Sequence, residues 1–209
     1  MSILTPDTGT GVDQGTFRGV MGRFPSFVTV ITTPTPHGPA GCTATAVLSL
    51  SLEPPSVVVS LRTEGHTLHA IRTSGHFAVN ALSWRQRVLV TRFASGDPGR
   101  RFDGVPYAYE DGVPVLDGCS AAVVCRLTET VEVFDHTLLI GTVLRARGDS
   151  ATPLVLLDGT PHRIDAPARP LHRADAPARP LHQSDTPARP LHRTDAPARP
   201  PHRTEETPS

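Results

Sequence analysis

The chain has 209 residues, of which 38% are hydrophobic, and 20 basic residues balance 20 acidic ones. This length is enough to bury a core, while a net charge of zero gives no global field for nucleic acid or an anionic membrane surface. The three cysteines include no CxxC pair, which argues against a metal site. We find no apolar stretch of membrane-spanning length and no signal peptide, so a cytoplasmic protein is expected.

The N-terminal region predicts a helix followed by a hairpin. Residues 1–12 are rich in Thr and Gly and are predicted to be a flexible leader. From Asp13 to Arg23, apolar residues three and four positions apart indicate a short amphipathic helix. The β-branched run 27–33 then predicts a strand, and the proline-rich segment 34–39 predicts a turn into the next strand. The sheet is therefore expected to begin antiparallel.

The central stretch alternates hydroxyl and apolar residues from 43 to 52, which predicts one strand; a break at Pro54-Pro55 separates it from a second strand at 57–61. If 43–52 is one strand, Thr43, Thr45, Ser49 and Ser51 share a face. Such a face can hold an anionic or heteroaromatic ligand through neutral hydrogen bonds. Alternatively, the hydroxyls satisfy neighbouring backbone groups of a barrel, and the sequence leaves both interpretations open.

The rest of the ordered region alternates short helices with strands. Helices are predicted at 67–75, ending at a glycine, and at 85–93, capped by Ser83; strands are predicted at 77–82, 113–118, 121–126, 129–134 and 137–147. Many strands with few helices predict a mainly β, closed and mostly antiparallel barrel over residues 13–163.

A ten-residue repeat fills the C-terminal segment 164–209. Its unit Asp-Ala-Pro-Ala-Arg-Pro-Leu-His-Arg recurs from Asp165, Asp175, Asp185 and Asp195 with small changes. So little apolar area cannot offset the entropy of ordering the chain, so the segment is predicted to be a disordered tail. Its regularly spaced histidines favour weak adventitious metal binding over a specific site.

An ordered set of short motifs resembles the short-chain flavin reductases. The similarity lies in 17–25, 28–33, 38–45, 49–55, 58–61, 71–80, 92–94, 101–105, 114–118 and 135–137. The resemblance implies an FMN-binding split β-barrel with Greek-key-like antiparallel strands. It also implies the activity of the small component of two-component flavin-dependent monooxygenases.

The resemblance further implies which residues bind the nucleotides. The expected flavin-binding residues are Phe24, Pro25, Thr43, Ala44, Thr45, Ser49, Ser60, Leu61, Arg62, His66, Thr67, Arg92 and Phe93. His136 matches the Asp-His pair that the family associates with the nicotinamide. Hydride transfer from NADH or NADPH to FMN or FAD then needs no protein nucleophile, acid or base. A homodimer that passes reduced flavin to a monooxygenase is expected.

Two departures from the family pattern keep other functions open. Phe134 stands where a glycine commonly precedes the Asp-His pair, and Pro161 falls near a usual tyrosine. If these changes spoil the nicotinamide site, the protein is a non-catalytic flavin-binding barrel, a store or sensor. A third alternative is an interaction protein that acts through its proline-rich tail.

Overall fold

The computed structural model describes residues 11–165. The predicted leader, apart from residues 11 and 12, and the predicted tail, apart from residues 164 and 165, lie outside this range and stay predictions. Among the described residues, no helix has the length and apolar character needed to cross a membrane.

Three α-helices and twelve β-strands make up the described chain. The helices are α1 (Gln14–Gly22), α2 (His66–Ser74) and α3 (Arg87–Ser95), with single 3-10 turns at Trp84–Gln86 and Pro98–Arg100. The strands are β1 (Ser26–Phe27), β2 (Thr29–Thr35), β3 (Gly38–Ala44), β4 (Val47–Leu52), β5 (Pro55–Arg62), β6 (His76–Ala81), β7 (Tyr107–Glu110), β8 (Val113–Leu116), β9 (Ala121–Val133), β10 (His136–Gly148), β11 (Leu154–Leu157) and β12 (Thr160–Arg163). The mainly β, antiparallel fold class predicted from the sequence is confirmed.

The main sheet closes into a barrel because of one short connection. Its strand order is β3-β2-β6-β9-β10-β5-β4, so β3 and β4 are its two edges. Flat, seven strands would place these edges roughly 29 Å apart. Yet β3 ends at Ala44 and β4 begins at Val47, and three Cα steps span at most roughly 11 Å. The sheet must therefore curl until its edges approach each other at Thr45 and Ala46.

The barrel interior is filled by apolar side chains of the strands and of α2. Leu68 and Ile71 of α2 are fully buried with Phe77, Val59 and other residues of the same cluster. Gly141 on β10 makes room for the Phe77 ring, since a Cβ there would lie 2.5 Å from the ring. The apolar face of α2 thus packs against the interior cluster of the barrel.

A second cluster packs α3 against the outside of β2 and β3. Phe93 of α3 is fully buried, and its ring meets Phe102 edge-to-face at 5.0 Å between centroids. Gly41 on β3 permits this approach, because an added Cβ would lie 3.2 Å from both rings. The aromatic pair therefore fixes α3 and the following turn against β3.

Asn80 connects the β7–β8 hairpin to the barrel. Its amide donates to the Val30 carbonyl and the Thr32 hydroxyl, and its carbonyl accepts from the backbone N–H of Leu116 at 2.8 Å. The side chain is fully buried and satisfied on both ends, so its truncation leaves unpaired groups that cost about 1–3 kcal/mol each.

The predicted single strand over 43–52 is wrong. The chain leaves β3 after Ala44 and enters β4 at Val47, on the opposite edge of the sheet. Thr43 and Ser49 thus belong to different strands, and the predicted continuous hydroxyl face does not form. Alternation shows which residues favour strands but not where a sheet closes.

Several other predicted boundaries change. Predicted strands 121–126 and 129–134 form one strand, β9, with a register shift opposite Ile140 and Gly141. Predicted strand 27–33 divides at Val28, and the predicted turn 34–39 shortens because β2 and β3 extend to Thr35 and from Gly38. The short strands β7, β11 and β12, of four residues each, were not predicted.

Candidate functional site

A cleft of about 480 Å³ opens where the two edges of the main sheet approach each other, and we call it the closure cleft. Its volume lies within the range of small-molecule sites. The lining residues come from the end of β3, the link to β4, the end of β5, the start of α2, the end of α3, the segment 98–101 and the start of β10. They are Cys42, Thr43, Ala44, Thr45, Ala46, Ser60, Leu61, Arg62, Gly65, His66, Thr67, Leu68, Phe93, Ala94, Pro98, Arg101 and His136.

The β3 wall carries two threonine hydroxyls, and only that of Thr43 forms a hydrogen bond within the described chain. The Thr43 hydroxyl donates to the Val90 carbonyl of α3 at 2.8 Å, as expected if barrel hydroxyls satisfy backbone groups. Thr45 lies beyond the end of β3 and is exposed to solvent. Burial raises the pKa of the Cys42 thiol, so Cys42 stays protonated at neutral pH. Thr45 is therefore the β3-side hydroxyl that is best placed to meet a ligand.

The opposite wall ends at the first turn of α2. Ser60 and Arg62 occupy the end of β5, and Gly65 is the N-cap of α2 without a side-chain cap. The first N–H groups of the helix and its partial positive charge therefore remain available beside His66. This wall suits a phosphate or another anion.

Arg101 supplies a second cation to the closure cleft. Its Nη1 donates to the Gly41 carbonyl at 2.7 Å and its Nε donates to the Gly96 carbonyl at 3.1 Å. None of the described residues that line the cleft is acidic. The cleft thus presents Arg62 and Arg101 without a carboxylate in its lining, which favours an anionic ligand.

His136 lies at the rim beside the tight turn between β9 and β10. Its Nδ1 is 2.8 Å from the Asp135 carboxylate, and this hydrogen bond lowers the pKa of the Asp135 carboxyl. The contact holds Nδ1, so Nε2 is the ring nitrogen left for a ligand. Phe134 adopts φ 55°, a left-handed conformation in which glycine is the unstrained residue.

Most of the predicted flavin-binding residues line this cleft, namely Thr43, Ala44, Thr45, Ser60, Leu61, Arg62, His66, Thr67 and Phe93, together with the nicotinamide candidate His136. Four others do not. Phe24 and Pro25 are exposed after α1, and Ser49 is exposed on β4. The Arg92 guanidinium donates to the Asp103 carbonyl at 2.9 Å, outside the cleft lining. The roles of all these residues stay predictions.

Sequence reasoning assigned no role to Arg101, which the fold brings into the cleft. Arg101 begins one of the motifs that carried the family resemblance. Membership in that motif was the available signal, but the contact of Arg101 with Gly41, sixty residues earlier, depends on tertiary structure.

A second cavity of about 730 Å³ adjoins the closure cleft, and we call it the outer cavity. The two cavities share His66, Pro98 and Arg101 in their linings. The β2–β3 hairpin, α2 and the 98–102 segment form its walls.

Comparison with known proteins agrees with this geometry. Residues 21–165 match the family described as "Flavin reductase like domain". The chain is 38% identical over 150 residues to FMN reductase (NADH) SmoA of Agrobacterium fabrum, covering 71% of this chain and 85% of that protein. It is 34% identical over 133 residues to HsaB of Mycobacterium tuberculosis, named as the reductase subunit of a flavin-dependent monooxygenase, covering 63% and 71%.

A solved structure gives the same result. The NADH:FAD oxidoreductase SgcE6 of Streptomyces globisporus superimposes with a TM-score of 0.69 at 30% identity, covering 75% of this chain and 95% of that one. The expected resemblance is thereby confirmed, in fold and in sequence. The chain belongs to the family of proteins with a flavin reductase like domain.

Proposed function

We propose that this protein is an NAD(P)H:flavin oxidoreductase that reduces FMN or FAD and supplies reduced flavin to a partner monooxygenase. The observation that carries the proposal is the closure cleft, whose lining offers hydroxyls and two arginines without an acidic residue. The activities named for SmoA, HsaB and SgcE6 support the same reaction, with NADH as hydride donor.

The residues of the cleft fit a flavin. Thr45 and Ser60 offer hydroxyls to the polar edge of an isoalloxazine ring. Arg62, Arg101 and the start of α2 match a phosphate. Ala46, Ala94 and Pro98, which are exposed in the cleft lining, supply apolar surface for the ring system.

The protein's part in the reaction is to bind and orient. A flavin held in the cleft would supply the hydride-accepting ring, so the chemistry needs no nucleophile from the chain. The cleft walls fix one reactant, and the Nε2 atom of His136 is free to hold the other at its rim. Asp135 fixes the orientation of the His136 ring through Nδ1, and acts as a positioning residue.

Purified full-length protein with NADH and FMN in air tests the proposal. We expect loss of absorbance at 340 nm that requires flavin, and a variant Thr45→Trp that fills the cleft should lose it. Ala108→Trp is the matched control, since Ala108 is exposed on β7 outside the cleft. If flavin binds but NADH is not oxidised, the reductase proposal fails.

A non-catalytic flavin-binding protein is the second candidate, favoured by the strained Phe134 beside His136 and by the placement of Pro161. Pro161 lies on β12, outside the lining of the closure cleft. This candidate predicts quenching of FMN fluorescence by the protein together with unchanged NADH absorbance, so the same assay separates the two.

We also infer that the protein is a homodimer. Phe17, Val20 and Met21 of α1 are 59%, 55% and 47% exposed, and no residue of α1 is buried. Leu48, Leu50 and Leu52 of the edge strand β4 are exposed as well. Contact with a second subunit would remove these apolar surfaces from water, which is favourable. Light scattering at micromolar concentration checks this, and a monomer contradicts it.

The predicted tail supports a third proposal, an interaction role for the repeats of 164–209. We expect deletion of 166–209 to leave flavin reduction unchanged and to remove binding to any partner that recognises the repeats. Trypsin, which does not cleave Arg-Pro bonds, should trim the tail after Arg173, Arg193 and Arg203 and leave a core that ends near Arg173. Reduced cysteines support a cytoplasmic setting, since Cys42, Cys119 and Cys125 are free thiols.

A further inference from the structure

We propose that the outer cavity receives the adenylate half of FAD, with Arg101 at the diphosphate, so that this chain prefers FAD to FMN; the inference rests on the proposed function. The outer cavity, at about 730 Å³, is larger than the closure cleft, at about 480 Å³. Since both share His66, Pro98 and Arg101, a ligand longer than FMN can extend from one into the other.

The position of Arg101 is suited to a diphosphate. Two bonds to the carbonyls of Gly41 and Gly96 fix the guanidinium at the junction of the cavities. Within residues 11–165, no carboxylate lies within ion-pair distance of Arg101, although seven other pairs form. The Arg101 guanidinium is half-buried, is held in one orientation by two carbonyls and has no carboxylate partner among the described residues. Such a group favours a phosphate as its ligand.

A second polar side chain, that of His66, lies at the junction of the two cavities. His66 begins α2, next to the uncapped N-terminal turn of that helix. Arg101 and His66, the latter at the start of α2, thus border both cavities. No acidic residue of the described chain lines the outer cavity either. The charge pattern fits a ligand whose negative groups lie at its middle, as in a dinucleotide.

The walls of the outer cavity are rigid and partly aromatic. Pro34, Pro36, Pro39 and Pro98 fix the backbone on two sides. Phe102 is partly buried, and its ring is held edge-to-face by Phe93 on the closure-cleft side. A nucleobase gains from stacking on an aromatic ring, and preformed walls reduce the entropy lost on binding. His69 and Thr73 of α2 add polar groups.

Binding of riboflavin, FMN and FAD to the full chain tests the inference, followed by flavin fluorescence. Riboflavin lacks phosphate, FMN has one, and FAD adds the adenylate. We expect wild-type protein to bind FAD at least about tenfold more tightly than FMN. Thr73→Trp, an exposed substitution that fills the outer cavity, should remove this preference by weakening FAD alone.

Arg101→Gln should weaken FAD about ten- to hundredfold and leave riboflavin unchanged, as expected for a lost charged hydrogen bond. Riboflavin binding also reports whether the variant is folded. Arg100→Gln is the matched control, because exposed Arg100 pairs with Asp103 and lines neither cavity. It should change no affinity.

The results that overturn the inference are distinct from failure of the proposed function. Equal affinity for FMN and FAD, unaffected by Thr73→Trp, rejects an adenylate site. A higher KM for NADH in Thr73→Trp with FAD binding unchanged assigns the outer cavity to the nicotinamide dinucleotide instead. If FAD binding follows the expected pattern but NADH is never oxidised, only the reductase function is rejected.

Discussion

The Thr43 hydroxyl donates a hydrogen bond to the Val90 carbonyl, 2.8 Å away, and so joins β3 to α3 at the back of the closure cleft. Because this hydroxyl already forms a hydrogen bond within the protein, the main role of Thr43 is to hold the cleft wall in position. Thr45, two residues later, is exposed and has no such commitment within the described chain.

Thr43→Val should lower the free energy of unfolding by about 1 kcal/mol, since the nearly isosteric change removes the hydrogen bond between the Thr43 hydroxyl and the Val90 carbonyl. Urea denaturation measures the effect. Thr45→Val is the matched control and should weaken flavin binding without changing stability. Normal stability of Thr43→Val combined with a large loss of flavin affinity contradicts this assignment.

His136→Ala should raise the apparent KM for NADH about two- to tenfold and leave flavin affinity nearly intact, because it removes a contact to one substrate. Steady-state kinetics at saturating FMN measure it. Asp135→Asn, which keeps the ring but alters its partner at 2.8 Å, should have a smaller effect in the same direction. Unchanged nicotinamide kinetics with a lower Tm shows that His136 only stabilises the strand end.

Gly141→Ala should destabilise the protein by about 1–3 kcal/mol, because the new Cβ would lie 2.5 Å from Phe77 in a filled core. Thermal unfolding measures the change. Gly99→Ala is a suitable control, since a Cβ there meets its nearest neighbour at 3.6 Å and the residue has no positive φ. Similar Tm values for the two variants are the contrary result.

Phe134→Gly should stabilise the protein by about 0.5–1 kcal/mol, because glycine adopts φ 55° without strain. The value is a net one, since the greater entropy of glycine in the unfolded chain offsets part of the relieved strain. Val133→Gly, at the end of β9 where φ is not positive, should destabilise instead. Urea midpoints compare the two. A loss of stability in Phe134→Gly means that the exposed ring makes contacts that outweigh the strain.

Burial raises the pKa of Cys125 to about 12 and that of Cys119 to about 11. In the unfolded chain these thiols ionise near pH 9, so above that pH the folded state holds more protons and stability falls as pH rises. Unfolding in urea at pH 8 and pH 10 measures this loss. Cys125→Ala should show a smaller loss between the two pH values; an equal loss assigns it to other groups.

The sequence determined the local elements of this protein. Periodicity located α1, α2 and α3, because apolar residues three and four apart define a helix face regardless of what packs on it. The ordered motifs identified the family, and through it most of the residues that line the closure cleft. The sequence also marked Phe134 as a departure from the glycine of the family pattern, and the structure gives this residue a positive φ.

Only the tertiary structure decided how these elements form a site. Alternation over 43–52 cannot show that the chain crosses between the edges of the sheet at Thr45 and Ala46, since the alternation of hydroxyl and apolar residues continues from β3 into β4. That crossing closes the barrel and creates the cleft. Arg101 reaches it through the Gly41 carbonyl, and Arg92 does not, although both are arginines followed by phenylalanine in the sequence. Contacts between residues distant in sequence depend on the packing of the whole barrel, and local patterns do not encode that packing.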